Sequence, residues 1–423
     1  MKVSRKRIGL FLIVLLLLIL TTTANGFAKA PLNYPLDMEG TIRGANYKLR
    51  VPEGWNGTLI VYAHGFRDKA DGPGETDNVS AEAAPGGELF EDALLSMGYA
   101  VAGSAYKDNG WAVREGIADT HDLTQFFARE VGEPTRTILW GFSMGSVVTY
   151  KSAELYPNLY DGTIAACAVG AGASRAWDGS LVATLAYDVA FGMPQSWGTP
   201  ADLRDDLDFD TEVLPVLFGQ VTEPANFGKF EFMRMVSGLP PEDFYSGSNF
   251  LFTDMYFFTE ARAELERRAG GPVGQNLDHH YSLTAAEKGY LAALGVDADD
   301  LLSQMNDRRN INGRSRRYTH NFADYTGNIS NPMLSIHTYS DGLVPVQHQA
   351  AYRDTVAAAG QSDNLVQAYT DAVGHCAFTP EQLITSIVAM DYWLDTGVAP
   401  GDEFFAASLG FLPDFEPAPW PQP

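Results

Sequence analysis

Six short, mostly apolar segments recur along the chain, and stretches with helical periodicity separate most of them. Parallel strands that are buried on both faces have this composition, and alternating strands and helices build a doubly wound sheet. The sequence therefore predicts an α/β fold with a mostly parallel sheet. The predicted strands span 58–63, 99–104, 137–140, 163–169, 333–338 and 364–369. The predicted helices span 87–97, 113–131, 144–156, 346–359 and 380–395, and residues 36–51 are expected to form an antiparallel hairpin.

The alternation stops after Gly170 and resumes at Asn331. The intervening residues show helical segments and no strand ladder, and an unstructured loop of this length is uncommon in a compact domain. We therefore predict that residues 171–330 form a helical cap, inserted before the strand that starts near Met333. The core would then comprise residues 27–170 and 331–397. Residues 398–423 would form a C-terminal tail, and its proline-rich end, residues 413–423, is expected to have little ordered structure.

The N-terminus has the pattern of a signal peptide. Four positive residues lie within the first seven, ahead of an unbroken apolar run from Ile8 to Leu20. This run is shorter than the roughly 20 residues of a spanning helix, and small residues follow it. We predict a signal peptide over residues 1–26, cleaved after Gly26, and a secreted protein, extracellular or periplasmic, with no stable membrane insertion. An uncleaved anchor is the alternative.

Composition and charge limit the partners of the chain. Its 423 residues are 45% hydrophobic and 19% charged, which is typical of a globular protein. Removing residues 1–26 would take four positive charges and no negative charges from a formal net charge of −24, leaving −28. Such a charge repels nucleic acid, so nucleic-acid binding is excluded. Only Cys167 and Cys376 are available for a disulfide, and the sequence alone leaves open whether they meet. The oligomeric state is also left open.

The pentapeptide Gly-Phe-Ser-Met-Gly, residues 141–145, lies between a predicted strand and a predicted helix. A serine on such a tight turn has its hydroxyl exposed at the carboxyl edge of the sheet. The N-terminus of the following helix also favours developing negative charge. Ser143 is therefore the candidate nucleophile.

A serine nucleophile needs a base and an acid that orients the base. His375 lies in a loop after the last predicted strand, and Asp341 follows the strand that starts near Met333. Each candidate thus comes at the carboxyl end of its own strand, where open α/β sheets place their sites. Asp371 is a weaker candidate for the acid, because it lies on the same loop as the base.

An oxyanion hole requires two backbone amides. The residue after the nucleophile, Met144, is expected to supply one. Phe66 is expected to supply the other, because Gly65 allows the chain to turn its amide inward. His64 is interpreted as a structural residue and not as a second base.

The segments around Phe66, Ser143, Asp341 and His375 resemble the secreted α/β-hydrolase-fold serine hydrolases of the esterase or peptidase type. The resemblance covers residues 40–170 and 331–397. It implies cleavage of carboxylic esters, small or polymer-derived, through an acyl-serine intermediate, without a cofactor. A serine peptidase or aminopeptidase with the same triad is the alternative.

Two departures from that pattern concern the cysteines and the pocket wall. Many relatives have histidine where Phe142 stands, so Phe142 is expected to form a different pocket wall. Gly-His-Cys at residues 374–376 is also similar to the tannase and feruloyl-esterase group, in which that cysteine is bridged to one beside the serine. Phe142 breaks this match and leaves Cys167 as the only possible partner for Cys376.

Ten aromatic residues are concentrated in residues 227–258 of the insertion. They form either the core of the cap or the wall of an apolar substrate pocket. Phe230, Phe252 and Phe257 are the candidates for the pocket wall.

Other clusters of charged or metal-ligating residues give weaker signals. Asp278, His279 and His280 are adjacent on a polar stretch and lack the spacing that makes ligands converge, so no metal site is predicted. A basic patch between Arg308 and Arg317 is expected to pair with carboxylates of the cap, and steering of an anionic substrate is the alternative.

Overall fold

The structure is a computed structural model that describes residues 34–70, 76–245, 250–308, 310 and 313–420. The chain from Tyr34 onward forms one compact unit. The predicted signal peptide lies outside the described residues. None of the helices in the described ranges is both long and apolar enough to cross a membrane.

An eight-stranded sheet, in the order β1-β2-β4-β3-β5-β6-β9-β10, organises the fold. The antiparallel hairpin β1–β2 pairs with β4, and the other six strands are mutually parallel. This confirms the predicted α/β-hydrolase fold and its mostly parallel sheet. In chain order the strands are β1 Leu36–Ile42, β2 Ala45–Val51, β3 Thr58–Ala63, β4 Ala100–Ser104, β5 Arg136–Phe142, β6 Gly162–Ala166, β7 Gly198–Thr199, β8 Asp202–Leu203, β9 Met333–Ser340 and β10 Leu365–Val373.

The helices divide between the core and the segment between β6 and β9, which we call the inserted segment (residues 171–330). The core holds α1–α3, α13 and α14, and the inserted segment holds α4–α12 with the small hairpin β7–β8. The helices are α1 Glu88–Ser96, α2 Val113–Glu130, α3 Met144–Leu155, α4 Ala173–Phe191, α5 Leu214–Val221, α6 Phe227–Val236, α7 Pro241–Phe244, α8 Phe250–Phe258, α9 Glu260–Ala269, α10 Ala285–Ala293, α11 Ala298–Asn306, α12 Arg316–Ala323, α13 Gln347–Ala358 and α14 Pro380–Thr396.

The central strands are apolar because both of their faces are covered. Every residue of β3, β4 and β6 is buried. Helices therefore pack on both sides of the sheet, and the carboxyl ends of the parallel strands meet at one edge. This edge holds the candidate site.

The inserted segment has an apolar core of its own. One cluster of buried side chains extends from Leu181 to Met305 and lies entirely within the segment. Ion pairs connect its last part to α4: Arg308 pairs with Asp188, and Arg316 contacts Asp178. The basic patch thus pairs with carboxylates of the inserted segment, as expected.

The C-terminal tail is better ordered than its prolines suggest. Phe411 is 1% exposed and pairs with Thr370 of β10, and the ring of Phe415 packs against Tyr369. The ring of Trp420 also packs against His348, so the expectation of little ordered structure was wrong for residues 413–420. The tail follows the sheet edge because burial of its aromatic side chains stabilises it without regular secondary structure.

Candidate active site

Ser143 lies on a sharp turn between β5 and α3. Its backbone has φ 52° and ψ −123°, a conformation that non-glycine residues rarely adopt. A Cβ on Gly141 would lie 2.1 Å from the Gly145 carbonyl oxygen, and one on Gly145 would lie 2.0 Å from the Ala63 carbonyl oxygen. Only glycine fits at these two positions, so both glycines are required for the chain to turn here.

Ser143, His375 and Asp341 form a continuous hydrogen-bonded chain. His375 Nε2 lies 2.8 Å from Ser143 Oγ, and His375 Nδ1 lies 2.7 Å from Asp341 Oδ2. The histidine thus contacts the serine with one ring nitrogen and the carboxylate with the other. This is the arrangement in which a carboxylate fixes the histidine tautomer that can accept a serine proton.

Asp341 is buried but remains a strong hydrogen-bond acceptor. Burial alone would raise its pKa, but the charge and hydrogen bond of His375 outweigh burial and lower the pKa below its usual value. The Val344 N–H also donates to Asp341 Oδ1 at 2.8 Å. We therefore expect Asp341 to be ionised at neutral pH. Asp371, the weaker candidate, is exposed and its backbone N–H pairs with Gly410.

A second histidine lies beside the acid. His337 is fully buried, and its Nε2 donates to the Val344 carbonyl oxygen at 2.9 Å. Burial lowers its pKa, so the ring is neutral. His337 supports the turn that carries Asp341 and does not contact Ser143.

Two carboxyl groups from the inserted segment pack against the turn after Asp341, and the sequence analysis missed both. Asp243 accepts a hydrogen bond from the Gly342 N–H. A Cβ on Gly342 would lie 2.9 Å from Asp243 Oδ2 and 3.3 Å from Asp254 Oδ2. Burial, reinforced by the nearby Asp243 and Asp341, raises the pKa of Asp254 well above its usual value. No motif marks these two residues, because they meet the turn only through the tertiary fold.

The proposed oxyanion donors lie next to the nucleophile. Gly65 is so close to Ser143 that a Cβ on Gly65 would lie 3.3 Å from Ser143 Cβ. Phe66 and Met144 line the same cavity as Ser143, and their backbone N–H groups make no hydrogen bond with another described residue. Both amides are therefore available to an incoming oxygen. His64 is 4% exposed and stacks on Tyr106, which agrees with a structural role.

Cys167 and Cys376 form a disulfide with their Cα atoms 5.1 Å apart. Cys376 follows His375 directly, and Cys167 follows β6. The bridge therefore attaches the loop of the histidine to the central part of the sheet.

A cavity of about 120 Å³ lies beside Ser143, with a mostly apolar wall. Phe257 lines it and packs against Phe66, with ring centroids 5.1 Å apart. Further lining comes from Trp111, Trp177, Leu239, Phe258 and Trp420. Among the aromatic residues of 227–258 that were proposed for the wall, Phe257 is in the predicted place.

The other three aromatic candidates lie elsewhere. Phe142 packs against Tyr62, Trp140 and Phe378 below the sheet edge, because its position before Ser143 directs it away from the cavity. Phe230 is buried in the core of the inserted segment beside Phe191. Phe252 lines a separate hollow with acidic residues. Helical periodicity turns these two side chains to other faces of α6 and α8.

One group of potential metal ligands lies close together in the described part of the chain, formed by Cys167, His375 and Cys376. Its two cysteines are joined to each other, so they offer no thiolate. Asp278, His279 and His280 do not converge with other ligands among the described residues.

Comparisons with known proteins point to hydrolases. Residues 42–182 match the tannase-like family of unknown function (DUF6351), a range that includes Phe66 and Ser143. The chain is 23% identical over 416 residues to an o-phthalyl amidase from Xanthobacter agilis, covering 85% of this chain and 87% of the amidase.

Two solved structures were also found to be similar. An acylaminoacyl peptidase from Pyrococcus horikoshii matches 87% of this chain at 13% identity with a TM-score of 0.41. The chain spans only 42% of the length of that peptidase. Feruloyl esterase B from Aspergillus oryzae matches 86% of this chain and 80% of its own, at 12% identity with a TM-score of 0.40.

The sheet order and the turn at Ser143 place the chain in the α/β-hydrolase fold, and the sequence similarity to tannase-like proteins and to an amidase supports hydrolase activity.

Proposed function

We propose that this protein is a secreted serine hydrolase that cleaves carboxylic esters through an acyl-serine intermediate. The observation that carries the proposal is the hydrogen-bonded chain from Ser143 through His375 to Asp341. The similarity to a tannase-like family over residues 42–182 and to an amidase over most of the chain supports hydrolase activity in general.

In the proposed reaction Ser143 Oγ attacks the carbonyl carbon of the ester while His375 Nε2 takes the hydroxyl proton. The N–H groups of Phe66 and Met144 stabilise the oxyanion of the tetrahedral intermediate. His375 then gives the proton to the leaving alcohol, and the acyl group remains on Ser143. A water molecule, deprotonated by His375, releases the acid and regenerates the serine.

Hydrolysis of an amide bond by the same triad is the second candidate. It replaces the peptidase named as the alternative in the sequence analysis, which would cleave one particular kind of amide bond. The similarity to an o-phthalyl amidase over most of the chain favours it. The chemistry differs only in the leaving group, which for an amide must be protonated by His375 before it departs.

Turnover of matched substrates tests the proposal. We expect the purified protein to hydrolyse 4-nitrophenyl acetate and butanoate faster than acetanilide or amino-acyl 4-nitroanilides. Ser143→Ala should lower ester turnover by a factor on the order of 10⁴ or more, whereas Ser96→Ala, at an exposed serine of α1, should leave it unchanged. Faster turnover of the anilides would favour the amidase, and residual activity of a few per cent in Ser143→Ala would refute the nucleophile.

The proposed secretion has a separate test. N-terminal sequencing of the protein exported by its host should show that the chain begins at Phe27. A chain that retains residues 1–26 and sediments with membranes would support the uncleaved anchor.

A further inference from the structure

Three buried polar groups without a hydrogen-bond partner lie around the cavity that contains Ser143. They are Trp177 Nε1, Ser180 Oγ and Ser237 Oγ, and none of them has a partner in the described part of the chain. All three residues line this one cavity. Trp177 is 5% exposed and Ser180 is 2% exposed, so solvent does not reach these groups freely.

Leaving such groups unsatisfied is costly. A buried donor without a partner loses its hydration and gains nothing in exchange, so folded proteins rarely leave such groups unsatisfied. Several such groups along one wall of a cavity next to a nucleophile point to a ligand that supplies the missing partner.

The positions of the three residues allow them to act together. Trp177 and Ser180 are three residues apart on α4, so their side chains share one face of the helix. Ser237 directly follows α6, which packs against α4. All three belong to the inserted segment, whereas Ser143 belongs to the core.

The chemistry of the wall indicates what kind of group it can accept. The indole N–H only donates, and the two hydroxyls can donate as well, so an oxygen acceptor satisfies all three. No Asp, Glu, Lys or Arg is among the described residues that line the cavity. The remaining titratable group of the wall, His348, is neutral because burial lowers its pKa to about 3. A carboxylate bound here would lack a cationic partner, which makes its burial expensive.

We propose that Trp177, Ser180 and Ser237 form a specificity subsite that selects substrates with a neutral oxygen acceptor, such as an ether or hydroxyl, in the group that occupies the cavity. This inference rests on the proposed function, because it describes substrate choice at the same site. The apolar rings beside the subsite would bury apolar surface of the substrate. The three polar groups would distinguish substrates that carry an oxygen acceptor from those that do not.

Isosteric ester pairs test the subsite. The acyl pair is 4-nitrophenyl methoxyacetate and 4-nitrophenyl butanoate, in which an ether oxygen replaces a methylene. The alcohol pair is 2-methoxyethyl acetate and butyl acetate. For each pair the ratio of kcat/KM is measured in the wild type and in the variants, so that the intrinsic reactivity of the esters cancels.

Trp177→Phe, Ser180→Ala and Ser237→Ala should each lower the ratio in one of the two pairs by about threefold to tenfold, the effect of one lost hydrogen bond. The ratio within each pair is the readout, because each variant also alters the wall that contacts both esters. Ser303→Ala, at an exposed serine of α11, is the matched control and should leave every ratio unchanged. In the wild type, 4-nitrophenyl hydrogen succinate should be a poorer substrate than either member of the acyl pair.

The outcomes separate this inference from the proposed function. Unchanged ratios in all three variants, in a protein that hydrolyses the esters, would overturn the subsite and leave the esterase standing. If the wild type hydrolyses none of the esters faster than Ser143→Ala, the esterase proposal fails, and calorimetric titration of Ser143→Ala with both pairs decides the subsite. Tighter binding of the ether-containing member of either pair, lost when Trp177→Phe is added, would support the subsite, and equal binding within both pairs would overturn it.

Discussion

The sheet core and the inserted segment contribute different things to the same site. The core supplies the atoms of the proposed chemistry: Ser143, His375, Asp341 and the two amides. The inserted segment supplies much of the wall, including Trp177 and Phe257. We therefore expect the chemistry and the choice of substrate to be carried largely by separate parts of the chain. The inserted segment also contacts the acid turn, because Asp243 accepts a hydrogen bond from the Gly342 N–H next to Asp341.

The largest expected effect concerns the acid of the core. Asp341→Asn should lower kcat by a factor on the order of 10⁴, as the same change does in a serine-protease triad, because the neutral amide no longer fixes the histidine tautomer. Asp371→Asn, at an exposed position, is the control and should have little effect. A larger loss in Asp371→Asn, measured by ester turnover at neutral pH, would show that the acid has been misassigned.

A second prediction contrasts how the two regions respond to pH. Burial lowers the pKa of His64 and His348 in the core to about 3. Below the unperturbed pKa of about 6.5 the unfolded chain binds protons that these folded histidines do not, so acidification to pH 5 should cost about 2 kcal/mol of stability for each histidine.

In the inserted segment burial instead raises the pKa of two acids, Asp254 and Glu260, that of Glu260 to about 7. Their contribution to stability is present at low pH and is lost as the pH rises through the folded pKa.

Urea unfolding at pH 7 and pH 5, combined with peptide-resolved hydrogen exchange corrected for its intrinsic pH dependence, measures this contrast. On acidification the amides of the core should lose protection from hydrogen exchange. The amides of α8 and α9 should lose less protection than the core or should gain it. His320→Gln, at an exposed histidine, should not alter the result. Equal loss in both regions would contradict the opposite signs.

The hydrogen bond between Asp243 and the Gly342 N–H predicts a smaller effect on catalysis. Asp243→Asn weakens the acceptor for the Gly342 N–H, so the turn that follows Asp341 should be held less firmly. We expect kcat to fall by about tenfold and KM to stay nearly unchanged. Asp254→Asn is the matched variant: because the raised pKa of Asp254 favours its neutral form, the amide should preserve kcat and raise the Tm at neutral pH. Equal kcat losses in the two variants, or a change confined to KM, would argue against a positioning role for Asp243.

The smallest expected effect separates the wall of the cavity from the core of the inserted segment. Phe257→Leu should reduce the preference for longer acyl chains in a 4-nitrophenyl ester series by several-fold, since each buried methylene is worth about 0.8 kcal/mol. Phe230→Leu should lower stability and leave the preference unchanged, because Phe230 packs away from the cavity. The same change in preference for both variants would show that the aromatic cluster acts as one unit.

The core could be predicted from the sequence because its signals are local. Buried strands such as β3 are short and apolar, and Ser143, Asp341 and His375 each follow a strand, so the fold itself brings them together. The sequence of the inserted segment contains no comparable local signal that tells which side chains reach the site. Phe230 and Phe257 look alike in an aromatic-rich stretch, and only packing decides which one reaches the cavity. The contacts of Asp243 and Trp420 with the site depend on tertiary structure that neither periodicity nor spacing encodes.

The disulfide determines what remains connected after a proteolytic cut in the inserted segment. The bond joins residues 209 positions apart in sequence and encloses the whole inserted segment in a covalent ring. A protease that cuts an exposed turn of this segment would leave Ser143 on one fragment and His375 on the other, yet Cys167 and Cys376 would still tie the fragments together. A nicked molecule would therefore keep the proposed nucleophile and base in one covalent assembly until a reductant separates them.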